Sequence, residues 1–199
     1  MRVRLTMICS GVSPAVRRGA FPCGEAAEPA WLMARATALS AVLRRPDRAW
    51  CGPAASARQA AEALGLQASE MEALRDQDYG AWAGRGFAEM EATALEGWMG
   101  DPQATPPGGE SFEAVFRRVS DLMEELVNEP GHIVAVTHAP VIRAAILHVV
   151  GAPLSGARHI DVEPLSLTDF RSDGRRWTLR ATGIAAPADR QAPGRAGPF

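Results

Sequence analysis

Ile133-Val134-Ala135-Val136-Thr137-His138-Ala139-Pro140, running on through Val141 to Val150 and Gly151, decides how this chain is read. An apolar, mainly β-branched run without polar alternation predicts a strand buried on both faces, as in a parallel or mixed sheet. Pro140 suits the first turn of a following helix, where its missing N–H is no loss, and Gly151 suits the left-handed residue that closes one. The unit is therefore strand, His138, helix. In open sheets of this kind ligands bind beyond the carboxyl ends of the strands, so His138 stands where a functional side chain belongs.

Working toward the N-terminus, Gly108-Gly109-Glu110-Ser111 opens the clearest helix: Phe112, Val115, Val119, Leu122, Met123 and Leu126 hold an i, i+3, i+4 pattern. Leu74 to Gly84 predicts a strand end followed by an irregular segment around Tyr79 and Trp82, and a helix is expected around Phe87 to Met99. Trp31 to Leu43 and Ser56 to Leu66 predict two helices flanking a short strand, Asp47 to Cys51, that ends at Gly52-Pro53. Ser13 to Pro29 predicts a long ordered loop. Val3, Leu5, Met7 and Ile8 predict a buried strand ending at Cys9-Ser10-Gly11. Toward the C-terminus, Ser166 to Arg171 and Trp177 to Thr182 predict a hairpin turning at Ser172-Asp173-Gly174. Alternating strands and helices give an α/β domain over residues 1–182, a three-layer α/β/α sandwich with a mostly parallel central sheet. Residues 183–199 lack apolar period and are expected to be a disordered tail.

The 199 residues, 47% hydrophobic and 22% charged, suffice for one domain with a real core. A net charge of −2 provides no footprint for a polyanion, so nucleic acid is not an expected partner, although every basic residue is Arg. Cys9, Cys23 and Cys51 are an odd number at irregular spacing, which fits neither a disulfide framework nor a paired zinc motif and points to a reducing compartment. No segment approaches the roughly 20 apolar residues of a membrane span, and the expectation is a soluble, cytoplasmic protein.

Several spaced motifs, together running from about Arg2 to Arg180, resemble the histidine phosphatase (phosphoglycerate-mutase-like) superfamily. They are Cys9-Ser10-Gly11, Ala73-Leu74-Arg75-Asp76 through Tyr79-Gly80-Ala81-Trp82-Ala83-Gly84, Gly108-Gly109-Glu110-Ser111, and Val134 to Ala144. In that family the first strand typically ends in Arg-His-Gly, whose His attacks phosphorus; two Arg and a second His hold the phosphoryl oxygens, and a Glu or Asp protonates the leaving group. The resemblance implies that Ser10 stands at the nucleophile's place, Cys9 at the first arginine's and Ser56 at the second's. It implies that His138 is the second histidine and Asp76 the acid, with Gly11 and Thr137 beside them in the pocket. The family's arrangement further implies a substrate-sized gap between Ser10 and His138.

Each of these residues also has a plain structural reading. Ser10 could satisfy a strand-end backbone group, and Asp76 could cap a turn. Cys9 could be a buried small hydrophobe, His138 a structural imidazole, and Tyr79 and Trp82 core or pocket wall. Arg17 and Arg18 are expected in solvent, whereas Arg75 is a candidate to replace lost charge. His132, His148 and His159 match no catalytic position. Cys9, Asp76 and His138 come from separated segments without ligand spacing, so neither metal nor cofactor is expected. The function implied is that of a pseudophosphatase binding a small molecule or a protein partner, with homodimerisation open. The alternative is an enzyme of altered chemistry using His138 and Asp76 as acid and base, with Ser10 as a new nucleophile; residual phosphatase activity comes last.

Overall fold

The computed structural model describes residues 3–185. In chain order its elements are β1 (Val3–Cys9), α1 (Pro14–Arg17), α2 (Pro29–Ser40), β2 (Arg48–Cys51), α3 (Ala55–Ala63) and β3 (Ser69–Glu70), then α4 (Ala92–Gly100), α5 (Phe112–Leu126), β4 (Gly131–Thr137), α6 (Ala139–Val150), β5 (Ser166–Ser172) and β6 (Trp177–Ala185). The strands form one six-stranded sheet in the order β3-β2-β4-β1-β5-β6. The first four run parallel, and β5 and β6 add antiparallel pairs at one edge. This is the expected mostly parallel α/β architecture.

The strand alternation distributes the two cores. Leu5 and Met7 of β1 and Ile133 and Ala135 of β4 face α5 and α6, together with Phe170. Ile8, Val134 and Val136 face the opposite way, onto Leu32 and Leu39 of α2 and the alanines of α3. Because both faces are covered, β4 carries no polar alternation and Ile133 to Val136 are all buried. Helix ends follow local chemistry. The Ser111 hydroxyl accepts from Ala114 N at 3.1 Å to start α5, and Gly151 at φ 66° closes α6. Trp177 Nε1 donates to Met123 O at 2.8 Å, tying the edge strand to α5.

The structure departs from the sequence expectations at four places. Leu74 does not end a strand. The strand in this region is the two-residue β3, and Glu72–Leu74 form a 3-10 turn that buries Leu74. Both residues of β3 are exposed and polar, so apolar periodicity could not reveal it. Phe87–Glu89 form a 3-10 turn, and the following helix starts only at Ala92. Within the expected loop, Ser13 caps a four-residue helix whose first position is Pro14. Strand β6 continues past Thr182 to Ala185 through Gly183 at φ 67°, a glycine that reads locally as a stop. The remainder of the expected tail, 186–199, lies outside the described residues. Among the described residues no helix is long and apolar enough to cross a membrane.

For function, what matters is the alignment of three strand ends. Cys9 pairs with Thr137 and Cys51 with Val136, and the chain leaves the sheet at one rim. Ser10 N donates to Thr137 O at 2.7 Å and Gly52 N to Val136 O at 2.9 Å, so backbone bonding continues one residue past β1 and β2.

Candidate functional site

Beyond that rim lies a cavity of about 290 Å³. Ser10 and Gly11 after β1, Ser56 in the first turn of α3, Asp76, and His138 after β4 all line it. Five of the seven residues expected there thus meet at one opening. Cys9 and Thr137 are not in its wall. The β1 alternation turns Cys9 into the core against α5 and α6. There burial, aided by the charge of Asp76, pushes its thiol up to about 12, so it is neither thiolate nor nucleophile at neutral pH. Thr137 is fully buried and its hydroxyl donates to Leu74 O at 2.7 Å, which pins the 3-10 turn against β4.

The gap expected between Ser10 and His138 is absent. Ser10 Oγ lies 3.2 Å from His138 Nδ1, and Asp76 Oδ2 lies 3.4 Å from the same nitrogen. A serine side chain is short enough to let the imidazole close onto it. The contact is not a relay: a nucleophile–base–orienter chain needs the serine on one ring nitrogen and the carboxylate on the other. Here both oxygens approach Nδ1, while Nε2 is buried and has no partner among the described residues. Burial raises the Asp76 carboxyl above its ordinary 3.8; His138, the Gln77 N–H and Arg118 pull it the other way without reversing the shift.

The arginines that sequence proximity suggests as replacements are engaged elsewhere. Arg75 donates to both carboxylate oxygens of Glu110 at 2.8 Å, and Arg118 adds bonds to Glu110 at 3.1 and 3.2 Å. Arg118 also donates to Ala73 O and Asp76 O, so this cluster holds the strand of chain that carries Asp76. Arg58 turns to Pro53 O and to Glu70 at 3.2 Å. Arg17, half exposed, pairs with Glu28 at 2.9 Å. Among the described residues no arginine lines the cavity, whereas the carboxylates of Glu25, Asp76 and Asp78 do. Glu25 and Asp78 escaped sequence reasoning because each sits in irregular chain. Glu110 lay within a quoted motif, but nothing in the motif discloses that Glu110 is the partner of Arg75 and Arg118.

The turn that carries Asp78 is tightly packed and adds one more residue to the wall. Gly80, at φ 50°, packs so closely on Pro107 O and Gly109 N that no Cβ would fit. Tyr79 follows Asp78 into the cavity wall and stacks with Phe21 at 5.1 Å between ring centroids. Phe21, Tyr79 and Trp82 form a small aromatic cluster with Trp98 of α4, so Trp82 is core and Tyr79 is both core and wall.

The sheet order and the meeting of strand ends can be set beside known proteins. A bifunctional protein of Mycobacterium tuberculosis is 33% identical over 150 residues, which cover 71% of this chain and 40% of that protein. This chain thus spans about two fifths of the length of the mycobacterial relatives it matches. The structure of a putative α-ribazole-5'-phosphate phosphatase from Escherichia coli superposes with a TM-score of 0.80 at 23% identity, covering 90% of this chain and 95% of that one. A mycobacterial glucosyl-3-phosphoglycerate phosphatase gives a TM-score of 0.78 at 23% identity, covering 93% of this chain and 100% of its own. A family model matches residues 32–185, from the first turn of α2 to the end of β6. With that match spanning most of the sheet and the α6 unit that His138 opens, the chain belongs to the histidine phosphatase superfamily, branch 1.

Proposed function

We propose that this chain is a pseudophosphatase that has kept the superfamily scaffold and uses the old pocket to bind a small molecule. On this reading Ser10 stands in the nucleophile's place, and Cys9 and Ser56 in those of two phosphate-binding arginines. The observation that carries the reading is the charge of the cavity wall: three carboxylates and, among the described residues, no guanidinium. Phosphoryl transfer depends on positioning and on cationic stabilisation of the equatorial oxygens, so a wall of this sign opposes the reaction as well as the substrate. Loss of a nucleophile within a coupled site costs on the order of a million-fold in turnover.

The test is hydrolysis of p-nitrophenyl phosphate and 3-phosphoglycerate by the purified chain and by His138→Ala. Equal, background-level rates are expected. A robust rate that His138→Ala abolishes would overturn the proposal.

A second reading, altered acid–base chemistry, draws on the contact of Asp76 and Ser10 with His138 and on the raised Asp76 carboxyl. A carboxyl lifted by burial is the kind of group that serves as a general acid. In that case His138→Ala and Asp76→Asn would each remove turnover of a substrate without phosphate.

A further inference from the structure

We propose that a second cavity, which shares the Tyr79 wall with the first, binds a small aromatic carboxylate. The inference goes beyond the pseudophosphatase reading and does not rest on it, since the two cavities have only Gln77 and Tyr79 in common.

Four elements build this cavity. Trp98 and Met99 come from the end of α4, Phe112 opens α5, Pro140 and Arg143 lie one turn apart on α6, and Arg158 belongs to the 3-10 segment Leu154–His159. The space measures about 210 Å³. Small-molecule pockets ordinarily start at roughly 300 Å³, so the ligand is of single-ring size.

Charge complementarity fixes the sign of the ligand. Arg143 Nε donates to Ile160 O at 2.8 Å, which anchors a half-buried guanidinium in the cavity wall. That bond uses the Nε–H and leaves the N–H groups of both Nη atoms for a fork-like pair with a carboxylate. Among the described residues neither Arg143 nor Arg158 has a carboxylate within ion-pair distance, whereas Arg75 and Arg118 share Glu110. A half-buried guanidinium without a counter-ion leaves its desolvation partly unrecovered, and a bound carboxylate would recover it. Among the described residues Asp101 is the one acidic group in this wall, and its carboxylate accepts from Gln103 N at 2.8 Å. Two guanidinium groups against one carboxylate leave a single net positive charge, which matches a monoanion better than a phosphate dianion.

The second observation is independent of charge. Tyr79, Trp98 and Phe112 line the same space, and Trp98 and Phe112 are only half-buried, while Met99 beside them is 46% exposed. Apolar surface is thus left uncovered around the two arginines. Edge-on contacts with Phe21 at 5.5 Å and Trp82 at 5.9 Å hold the Trp98 ring, so the wall is formed in advance of a ligand. Aromatic pairs gain more than area burial alone supplies, which favours a planar ring in this space. An aromatic acid uses both features: its ring covers the apolar wall and its carboxylate meets Arg143 and Arg158. An aliphatic acid lacks the ring, and a neutral aromatic lacks the charge.

Calorimetric titration of the whole chain with benzoate, benzamide, acetate and phenyl phosphate tests the assignment. Benzoate is expected to bind about tenfold tighter than benzamide or acetate, the scale of one charge-assisted contact or one covered ring. Arg143→Lys keeps the charge but loses the planar fork and should weaken benzoate about tenfold. Arg158→Ala removes an exposed side chain, so the fold is not at stake, and should weaken benzoate about threefold. Asp101→Asn, whose amide oxygen can still accept from Gln103 N, should tighten it. Equal binding of benzamide overturns the carboxylate, equal binding of acetate the ring, and tighter binding of phenyl phosphate the single charge. Benzoate that fails to bind at millimolar concentration, or that binds without regard to Arg143, Arg158 and Asp101, overturns the site itself. The pseudophosphatase reading is decided by His138-dependent hydrolysis, so the two fail separately.

Discussion

Asp76 shows how a single residue can set the tension between site and stability. It is held within 3.4 Å of His138 and yet its carboxyl is raised, because burial outweighs the stabilising contacts. A group whose folded value lies above its unfolded one contributes stability below the unfolded value and loses it as the pH rises through the folded value. Ionisation of Asp76 therefore weakens the fold. Asp76→Asn should raise the melting temperature at pH 7, and the gain should vanish as the pH falls below the ordinary carboxyl value of 3.8. A destabilisation that persists across that range would show that the carboxylate is structural. The same residue scale marks where sequence reading stops. Alternation along β1 puts Cys9 into the core, but no periodicity foretells that Ser10 is near enough for His138 to close on it at 3.2 Å.

Among the elements, the piece of chain carrying Asp76 is positioned by ion pairing rather than by regular structure. Glu110, just before α5, receives Arg75 and Arg118, and its backbone bonds with Asp78 and Gln77 complete the junction. Burial pushes the Glu110 carboxyl up, but the hydrogen bonds and charges of Arg118 and Arg75 outweigh it and hold the group below its usual 4.5. Its stabilising contribution is thus fully present above 4.5 and is lost as the pH falls through the depressed value. Glu110→Gln should cost about 1–2 kcal/mol at pH 7, since it removes the shared carboxylate from two partly buried guanidinium groups and leaves Arg75 with Glu72 and Arg118 with Ala73 O and Asp76 O. Urea denaturation of both proteins at pH 7 and pH 3 checks this: the difference should shrink at the lower pH, and an undiminished difference would contradict the ion-pair account. The long elements were legible because apolar period marks them, as in α5 and β4. The short ones were not. Polar β3 and the late start of α4 at Ala92 are set by pairing and by turns that leave no hydrophobic pattern.

At the scale of the molecule, the fold and the chemistry of the site part company. The six-strand sheet and the convergence of three strand ends follow from buried β-branched runs and crossover helices, and they bring Ser10, Ser56, Asp76 and His138 to one opening. Which ligand that opening takes depends on side chains the scaffold does not dictate. The motifs' resemblance to the superfamily is what implies that Cys9 and Ser56 stand where arginines would be expected. The acidic wall became visible only when Glu25 and Asp78, from irregular chain, were seen beside Asp76. The most direct test of the central claim is calorimetric titration of the chain with orthovanadate, a mimic of phosphoryl transfer, at neutral pH beside His138→Ala. The account predicts no saturable binding up to millimolar vanadate for either protein; micromolar binding by the wild-type chain that His138→Ala abolishes would contradict it.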